Sequence, residues 1–579
     1  MSASAASPAA SDAKQALPTA SPIRAERWLL LGLVVGLCLW WMALPQPFHL
    51  PNNDYYSFER TARSLADLSL PASFKRMPIF PGLMALVAPL MPGKQPYLDA
   101  ARLLNAAFSL GLLGLLFGLA VRTMGRGALL PVALLVLNAP FQSMALQPLV
   151  EPSMGFFVLL ACLLFVRRSP WQYAAGAAAA LSRYEVGVIL PALVLGNLVW
   201  DRPRWRRHLV LAGLACLPVA AWSLLGARFG HDDSAYLTLM SAGGFRPELR
   251  FLHSSLKQPF EGWYRGPDDQ LQWFLLAVGL PLAVGLRAGW RDFRAASVML
   301  LTFYVLAVAL VIGFGIDKAR YVYPSQWIAL FYFALGLREI ALGWLPRALA
   351  GRPPGLARLA LAAALAIGLR MGWIWLGKLA AERSDVPLAL DLALIGLALA
   401  LVGVMGFGLL RDRGTAALAG LALLAALVLP ILAGGASLTR YELNKVRYNN
   451  WDIWLLAEWI DGALPDQARI VVMHPSHVKF LTGLPDTRVA SFADFEAPPD
   501  DLAALNGEMG SRGFDYAAYT FRAQPKDPST DFYYQSNRIA LAERFAAGTE
   551  LPGFELVASI PVPDWLEHSP VRIYRRLER

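Results

Sequence analysis

Residues 51–81 read PNNDYYSFERTARSLADLSLPASFKRMPIFP and follow the first long apolar segment, so they are expected just outside the bilayer. Asp54 stands behind two asparagines, a short amphipathic helix follows, and a basic, proline-punctuated run comes next at Lys75, Arg76 and Pro78. A carboxylate held at a membrane surface beside fixed cations suits chemistry on a lipid phosphate. The other apolar segments are interpreted as the frame that holds this stretch.

The composition places the chain among proteins with several transmembrane helices. Of its 579 residues, 56% are hydrophobic and only 16% are charged. The net charge of +10 does not indicate a nucleic-acid-binding protein, because the arginines fall mostly between apolar runs and do not cluster on a soluble face. Cys38, Cys162 and Cys216 lie inside apolar segments, so no disulfide framework is expected.

The chain is predicted to be a polytopic α-helical membrane protein with a C-terminal soluble α/β domain. Residues 1–26 are expected to form a disordered cytoplasmic tail, 27–434 the transmembrane domain, and 435–579 an extracytoplasmic domain. If roughly 20 residues make a span, about thirteen spans are expected. The fifth and sixth are short and closely joined, which leaves a hairpin or a broken pair open. The spans lie at 28–44, 99–121, 128–147, 152–166, 172–183, 185–200, 208–226, 271–286, 295–315, 324–344, 357–378, 387–410 and 415–434.

Arginines in the short connections predict the orientation. With an odd number of spans and a cytoplasmic N-terminus, all of these loops fall on the cytoplasmic side, as the positive-inside rule requires. The acid-bearing loops and the C-terminal domain then share the outer, periplasmic face of the inner membrane. The arginines concerned are Arg122, Arg126, Arg167, Arg168, Arg202, Arg204, Arg206, Arg207, Arg287, Arg291, Arg294, Arg347, Arg352, Arg358, Arg411 and Arg413.

The C-terminal domain shows alternating helix and strand patterns. Helices are predicted at 451–464 and 501–510, and strands at 470–473, 516–521, 554–560 and 571–575. No Gly-rich phosphate loop and no metal-ligand spacing is present, and His474 and His477 are interpreted as loop residues. The domain is interpreted as a lid or as an acceptor-recognition module.

Two outer acids are candidate catalytic residues, and each has a structural alternative. Asp54 either caps the helix that follows or accepts a proton from an acceptor hydroxyl, and one carboxylate can serve both purposes. Glu151, between Val150 and Pro152, is either a solvated turn acid or a second carboxylate that positions the acceptor.

Charged residues inside apolar sequence indicate further polar sites. Arg183 and Glu185 interrupt an apolar run, where a lone charge costs about 2.5–3.5 kcal/mol, so they are expected to face a cavity or to pair. Separate partners are expected, because residues two apart do not share a helix face. The run GIDKARYVYP, residues 315–324, places Arg320, with a guanidinium suited to phosphate, beside tyrosines typical of a membrane interface.

The order of these features resembles the GT-C superfamily of integral-membrane glycosyltransferases, in particular the protein O-mannosyltransferases and the lipid A aminoarabinose transferases. The resemblance covers nearly the whole chain. It is carried by an acid in a long outer loop, Arg76 two residues before Pro78, the Glu151 turn, the break at Arg183, and Arg320 with Tyr321 before a proline. The motifs are short, so they indicate the superfamily more specifically than any subfamily.

The resemblance implies transfer of a hexose or pentose from a polyprenyl-phosphate donor to a glycan, lipid or protein acceptor on the outer face. It implies catalytic roles for Asp54 and Glu151. Arg76, Arg183, Arg320 and Tyr321 are implied to bind the donor phosphate, with supporting roles for Glu59, Lys75, Glu185 and Lys318. The mannosyltransferases often have two acids in the first outer loop, whereas this chain has Asn52, Asn53 and Asp54. No Asp-x-Asp-like motif is seen, so no metal or other cofactor is predicted, and metal dependence stays open.

Two other function classes fit a polytopic membrane protein. A transporter or flippase of lipid-linked sugars often has internal repeats and buried charges along its spans, and this chain shows no repeat and few such charges. A non-enzymatic scaffold of cell-envelope assembly is compatible with the sequence as well. The large polar outer domain favours the enzyme.

Overall fold

The chain is mostly helical. The computed structural model describes residues 24–43, 51, 53–92, 95–125, 127–136, 138–230, 258–260, 278–313, 319–344, scattered positions within 362–440, 451–520, 538–546, 551–562 and 569–577. Two compact units are present, one comprising Met1–Pro45 and Ser57–Glu442 and the other Gln46–Tyr56 and Leu443–Arg579. The boundary between them falls inside one helix, after Tyr56.

The membrane unit is built from helices that follow the apolar runs of the sequence. In chain order they are α1 (Arg24–Ala43), α2 (Asn53–Ala66, whose first four residues belong to the other unit), α3 (Ile79–Val87), α4 (Pro96–Thr123), α5 (Leu129–Val136), α6 (Ala139–Leu146), α7 (Glu151–Val166), α8 (Gln172–Ala180), α9 (Ile189–Trp200), α10 (Trp205–Phe229), α11 (Leu280–Asp292), α12 (Arg294–Gly313) and α13 (Ala319–Glu339).

Among the described residues, three helices are long and apolar enough to cross a membrane. They cover Pro96–Thr123, Arg202–Phe229 and Arg294–Gly313, and the bent pair α5–α6 makes a fourth if it is counted as one span. On α10 the apolar side chains Leu214, Leu217 and Leu224 are exposed, as expected of a surface that faces lipid. Most of the three predicted spans beyond residue 357 lies outside the described residues.

Two predicted spans are interrupted. The span at 128–147 is bent by 67° between α5 and α6. Asn138 caps the start of α6. Its side-chain oxygen accepts a hydrogen bond from the Phe141 amide at 3.2 Å, so one of the first-turn amides that have no partner within the helix is satisfied. The predicted pair at 172–200 is broken as well, into α8, a short 3₁₀ helix at Tyr184–Val188, and α9.

Helices α11 and α13 approach each other closely through two glycines. A Cβ atom on Gly285 would lie 1.8 Å from the Tyr332 carbonyl oxygen, and one on Gly336 would lie 1.7 Å from the Pro281 carbonyl oxygen. Any residue with a Cβ atom would clash at these two positions. Small residues at helix crossings are characteristic of helix packing in membranes. The contact fixes the helix that carries Tyr321.

A buried ion pair joins distant parts of the membrane unit. Asp391 accepts a hydrogen bond from the Trp40 indole nitrogen at 3.2 Å, and its other oxygen pairs with Arg440. All three side chains are buried. Asp391 was one of the few charged residues within a predicted span, and its partner accounts for its presence there.

The second unit contains a five-stranded sheet with the order β2–β1–β3–β5–β4. The strands β1, β2 and β3 pair in parallel, while β3–β5 and β5–β4 pair antiparallel. The described elements are α14 (Trp451–Ala463), β1 (Ile470–Val472), α15 (Pro475–Thr482), β2 (Val489–Ser491), α16 (Leu502–Ser511), β3 (Tyr516–Tyr519), α17 (Ile539–Glu543), β4 (Phe554–Ile560) and β5 (Val571–Arg576).

Both faces of this sheet are covered. Alternating side chains point to opposite faces, so Ile470, Val472 and Ala518 pack with α14 and α15, whereas Val471 and Ala517 pack with α16 and α17. The two helices and four strands predicted from the sequence are confirmed within a few residues at each end. β2, α15 and α17 were not predicted.

Candidate functional site

Glu151 is buried at the start of α7. It is the first residue of that helix, its side chain is 1% exposed, and Pro152 follows it in the first turn, where proline costs no hydrogen bond. A carboxylate in this position is also favoured by the positive end of the helix dipole. The interpretation of Glu151 as a solvated turn acid is therefore wrong. The prolines beside it mark the start of a helix, and this N-terminal end of the helix is buried.

Arg183 lies where the backbone leaves the helical conformation. α8 ends at Ala180, and Arg183 is extended, with φ −155° and ψ 140°, before the 3₁₀ helix Tyr184–Val188. The guanidinium contacts two carboxylates: Nη1 donates to Glu151 Oε1 at 2.9 Å, and Nη2 lies 2.6 Å from Glu185 Oε1. The expectation that Arg183 and Glu185 have separate partners is wrong, since the rule against pairing two residues apart holds only inside an α-helix.

Tyr321 completes the contacts of this guanidinium. Its ring centroid lies 4.4 Å from Arg183 Cζ, which is a favourable cation–π distance. Tyr321 and Tyr323 are 8% and 2% exposed, so neither is an interfacial anchor. α7, the break after α8, and α13 thus meet at one point, and Glu151, Arg183, Glu185 and Tyr321 are called the acid–arginine cluster below.

The charges of the acid–arginine cluster do not cancel. Two carboxylates share one guanidinium, so the ionised cluster carries a net charge of −1. Among the described residues, Oε2 of Glu151 and the Tyr323 hydroxyl are buried and have no hydrogen-bond partner. Buried polar atoms are normally satisfied, so an unpaired carboxylate oxygen here indicates an acceptor site for a hydroxyl or another donor from a ligand.

The segment that carries Arg76 lies alongside the break that carries Arg183. The Ile79 amide donates to the Leu181 carbonyl at 3.2 Å, and the Tyr184 hydroxyl donates to the Phe74 carbonyl at 3.4 Å. Arg76 lies between Phe74 and Ile79 in sequence, and Arg183 lies between Leu181 and Tyr184. The structure thereby brings two of the predicted site segments together, although they are about a hundred residues apart.

Arg76 itself is oriented by α2. Its Nε donates to the Ser57 hydroxyl at 2.5 Å, and its Cζ lies 4.6 Å from the Phe58 ring centroid. These contacts limit the directions in which the fork of the guanidinium can point. Lys75, next to it, is exposed.

The remaining predicted site residues are placed as follows. Glu59 forms an ion pair with Arg63 one turn along α2, at 2.6 Å, which is a common surface pair within a helix. Asp54 lies in the first turn of α2 and belongs, with Tyr55 and Tyr56, to the second unit. The side chain of Arg320 and the whole of Lys318 lie outside the described residues.

One buried histidine was misjudged from the sequence. His477 is not in a loop but in α15, and it is 3% exposed. The signals were present, because Pro475 stands at the first helical position and Gly483 ends the helix in the left-handed conformation, with φ 69°. The helix is only eight residues long, which is too short for periodicity to show.

The described residues do not supply a metal site. Within the described ranges, no group of three or more His, Cys, Asp or Glu side chains lies close enough to hold a metal ion. The carboxylates of Glu151 and Glu185 are bridged by the Arg183 guanidinium.

No protein-family model matches the chain, and no curated protein matches its sequence. Solved structures do match. ArnT from Cupriavidus metallidurans in the apo state shares 15% identity over 96% of this chain and 98% of that one, with a TM-score of 0.54. The same protein bound to undecaprenyl phosphate shares 17% identity over 95% and 98%, with a TM-score of 0.50. The archaeal oligosaccharyltransferase AglB from Archaeoglobus fulgidus, in complex with an inhibitory peptide and a dolichol-phosphate, shares 11% over 94% and 81%, with a TM-score of 0.51.

The chain has the GT-C glycosyltransferase fold. The resemblance inferred from the order of its motifs is confirmed at the level of that fold. ArnT and AglB match over 96% and 94% of this chain. At 11–17% identity the likeness concerns the fold alone.

Proposed function

We propose that this protein is a membrane glycosyltransferase that moves a sugar from a polyprenyl-phosphate donor to an acceptor on the outer face of the inner membrane. The observation that carries the proposal is the acid–arginine cluster, in which Glu151 is buried, which is held by three elements and which lies beside the Arg76 segment. A fold can host several activities, so the function rests on this site more than on the architecture.

The proposed reaction exchanges one bond at the sugar's anomeric carbon for another. The bond from that carbon to the phosphate oxygen breaks, and its electron pair leaves with the polyprenyl phosphate. The acceptor hydroxyl forms the new bond and gives its proton to a base. Because a phosphate is a stable leaving group, the site needs a base for the nucleophile and cations for the phosphate more than it needs a strong acid.

We assign the proton-accepting role to Asp54 and the acceptor-positioning role to Glu151. The unpaired Oε2 atom of Glu151 supports the second assignment, because it can accept a hydrogen bond from an acceptor hydroxyl while Oε1 stays on Arg183. The assignment of Asp54 comes from the resemblance of the motif order to GT-C proteins. Asp54 lies in the first turn of α2, where the helix dipole favours a carboxylate.

We assign the donor phosphate to Arg76 and Arg320. The contacts of Arg76 with Ser57 and Phe58 support its part, since an oriented guanidinium binds phosphate at a lower entropic cost. Arg183 already contacts two carboxylates, through Nη1 and Nη2. Its ion pairs favour a role in fixing Glu151 and Glu185, with Tyr321 holding the guanidinium plane.

The class of donor is supported by the structural neighbours. ArnT was crystallised with undecaprenyl phosphate and AglB with a dolichol-phosphate, and AglB was also bound to a peptide. Glycan, lipid and protein hydroxyls all remain acceptor classes for this chain.

A lipid-linked sugar transporter is the rival function. Purified protein in vesicles, supplied with polyprenyl-phosphate sugars extracted from its native membrane, separates the two. The enzyme is expected to release free polyprenyl phosphate with time and to place the sugar on an acceptor. Movement of intact lipid-linked sugar across the bilayer, without release of polyprenyl phosphate, would contradict the proposal.

A further inference from the structure

The segment that carries Asp54 is part of the C-terminal unit. Residues Gln46–Tyr56 group with Leu443–Arg579 and not with the helices that precede and follow them in the chain. A domain interpreted from the sequence as a lid or as an acceptor-binding module therefore also holds the predicted catalytic acid. A hydrogen bond between His477 and Pro51 supports this grouping.

His477 connects α15 to the backbone just before Asp54. Its Nε2 donates a hydrogen bond to the Pro51 carbonyl oxygen at 3.1 Å, and both residues are buried. The pKa of His477 is lowered by burial to about 4, so the ring is neutral at neutral pH and carries one N–H. A carbonyl can only accept, so that proton is on Nε2, and Nδ1 has no hydrogen-bond partner in the described part of the chain.

α15 also contacts the chain just after Asp54. The Tyr56 ring meets the His477 ring edge-on at 5.3 Å and the Phe480 ring at 5.8 Å. His477 and Phe480 are three residues apart and so share one face of α15. Val478 points to a different side and packs into the sheet with the strand residues. The helix is therefore anchored to the sheet while its other face contacts Pro51 and Tyr56.

We propose that His477 is a positioning residue, which fixes the backbone on which Asp54 is carried so that the carboxylate stays aligned for proton transfer. The proposal rests on the proposed function, in which Asp54 is the base. The contacts at Pro51 and Tyr56 bracket Asp54, with two and one residues between, so the carboxylate has little freedom to shift. Misplacement by about 1 Å is enough to slow a reaction about 100-fold.

The substitution His477→Leu removes the donor and keeps an apolar side chain of similar length. We expect kcat to fall about 100-fold and the KM for the lipid-linked donor to change by less than about threefold, because alignment is lost and donor contacts are not. His477→Gln places an amide N–H near the position of Nε2 and should restore most of the loss. An equal loss with Gln would contradict a role for the hydrogen bond.

Val478→Ala is the matched control. Val478 is the next residue of the same helix and is fully buried, but it faces the sheet and not Pro51. It should lower the thermal stability of the protein as His477→Leu does, with little effect on kcat. If both variants lose kcat in proportion to their loss of stability, His477 is merely structural and the proposal is wrong.

Hydrogen–deuterium exchange in the full-length protein tests the contact without an activity assay. In peptides covering residues 51–60, exchange should be several-fold faster in His477→Leu than in wild type, and near wild type in Val478→Ala. Unchanged exchange in His477→Leu would overturn the proposal, whatever the value of kcat. Faster exchange with an unchanged kcat would overturn the positioning role. If wild type transfers no sugar but exchange responds as expected, the proposed function has failed and the contact has not.

Discussion

At the scale of single residues, Arg183 is the side chain on which the site depends most. It is 12% exposed and compensates Glu151, which is 1% exposed, and Glu185. Replacing Arg183 with Leu leaves the buried Glu151 carboxylate and the partly exposed Glu185 carboxylate without this cation, and breaking a buried pair costs about 3–5 kcal/mol. We expect a marked fall in the Tm measured in detergent. Arg204→Leu, at an exposed pair with Asp201, should leave the Tm almost unchanged. Equal Tm values for the two variants would contradict the account.

A second prediction at this scale concerns pH. The pKa of His477 is about 4 in the folded protein and about 6.5 when exposed, so between these values the unfolded chain binds a proton that the folded chain does not. The unfolding free energy of the second unit should therefore fall as pH drops from about 6.5 towards 4, with a slope of up to about 1.4 kcal/mol per pH unit. His477→Gln should remove this part of the slope. Denaturation at several pH values measures it, and the same slope in both proteins would contradict the prediction.

Candidate site residues could be predicted where a charged residue interrupts apolar sequence or lies beside prolines. The residues that they contact could not be predicted. Arg183 and Glu151 were selected because charge in apolar sequence and an acid between prolines are visible in a single sequence. That they contact each other depends on the packing of α7 against the break after α8, which no local pattern encodes. The supporting role expected of Glu59 has a simpler explanation in its pair with Arg63.

At the scale of secondary-structure elements, the contact between α10 and the Arg76 segment can be tested with one glycine. A Cβ on Gly226 would lie 2.9 Å from the Phe74 Cβ, so Gly226→Val must push Phe74 away. Overpacking costs about 1–3 kcal/mol. The displaced segment should raise the KM for the lipid-linked donor several-fold, as measured by steady-state kinetics.

Gly213→Val is the matched control on the same helix. No described atom lies within 4 Å of its Cβ position, and the residue is exposed on the face that we assign to lipid. It should leave both stability and KM close to wild type. If Gly226→Val behaves like Gly213→Val, the Arg76 segment does not depend on this packing and its place in the site is wrong.

Whether a secondary-structure element could be predicted depended on its length and on the polar residues next to it. A broken pair near residue 183 was left open because the two predicted spans are short and closely joined, but the extended backbone at Arg183 was not predicted. For that reason the pair of Arg183 and Glu185 was wrongly excluded. The bend before α6 was missed because apolar residues continue through it, although Asn138 and Pro140 mark the new helix start. α15 was missed because its eight residues show capping signals and no periodicity.

At the scale of the whole molecule, the orientation in the membrane is a prediction that labelling can test. In a background without the three native cysteines, Asp500→Cys in the second unit and Arg204→Cys before α10 are both exposed positions. An impermeant maleimide added to right-side-out vesicles should label the first at once and the second only after permeabilisation. The opposite pattern would place the Arg-rich loops outside and contradict the proposed face of transfer.

The overall fold was predictable because the order of motifs along the chain is a property of the sequence itself. Asp54, Arg76, Glu151, the break at Arg183 and Arg320 occur in the order expected of a GT-C protein, and the structural comparison bears out that fold. The number of thirteen spans stays a prediction, since most of 357–434 lies outside the described residues.

The most direct test of the central claim is the rate at which the protein releases polyprenyl phosphate when Glu151 is changed to Gln. The amide keeps the shape and one acceptor oxygen but removes the charge that pairs with Arg183 and to which we assign the positioning of the acceptor. By analogy with the loss of one oriented polar group in other active sites, the rate should fall about 100-fold or more. Glu555→Gln, at an exposed pair with Arg575 in the second unit, is the control and should keep the wild-type rate. Release by Glu151→Gln at the wild-type rate would contradict the account.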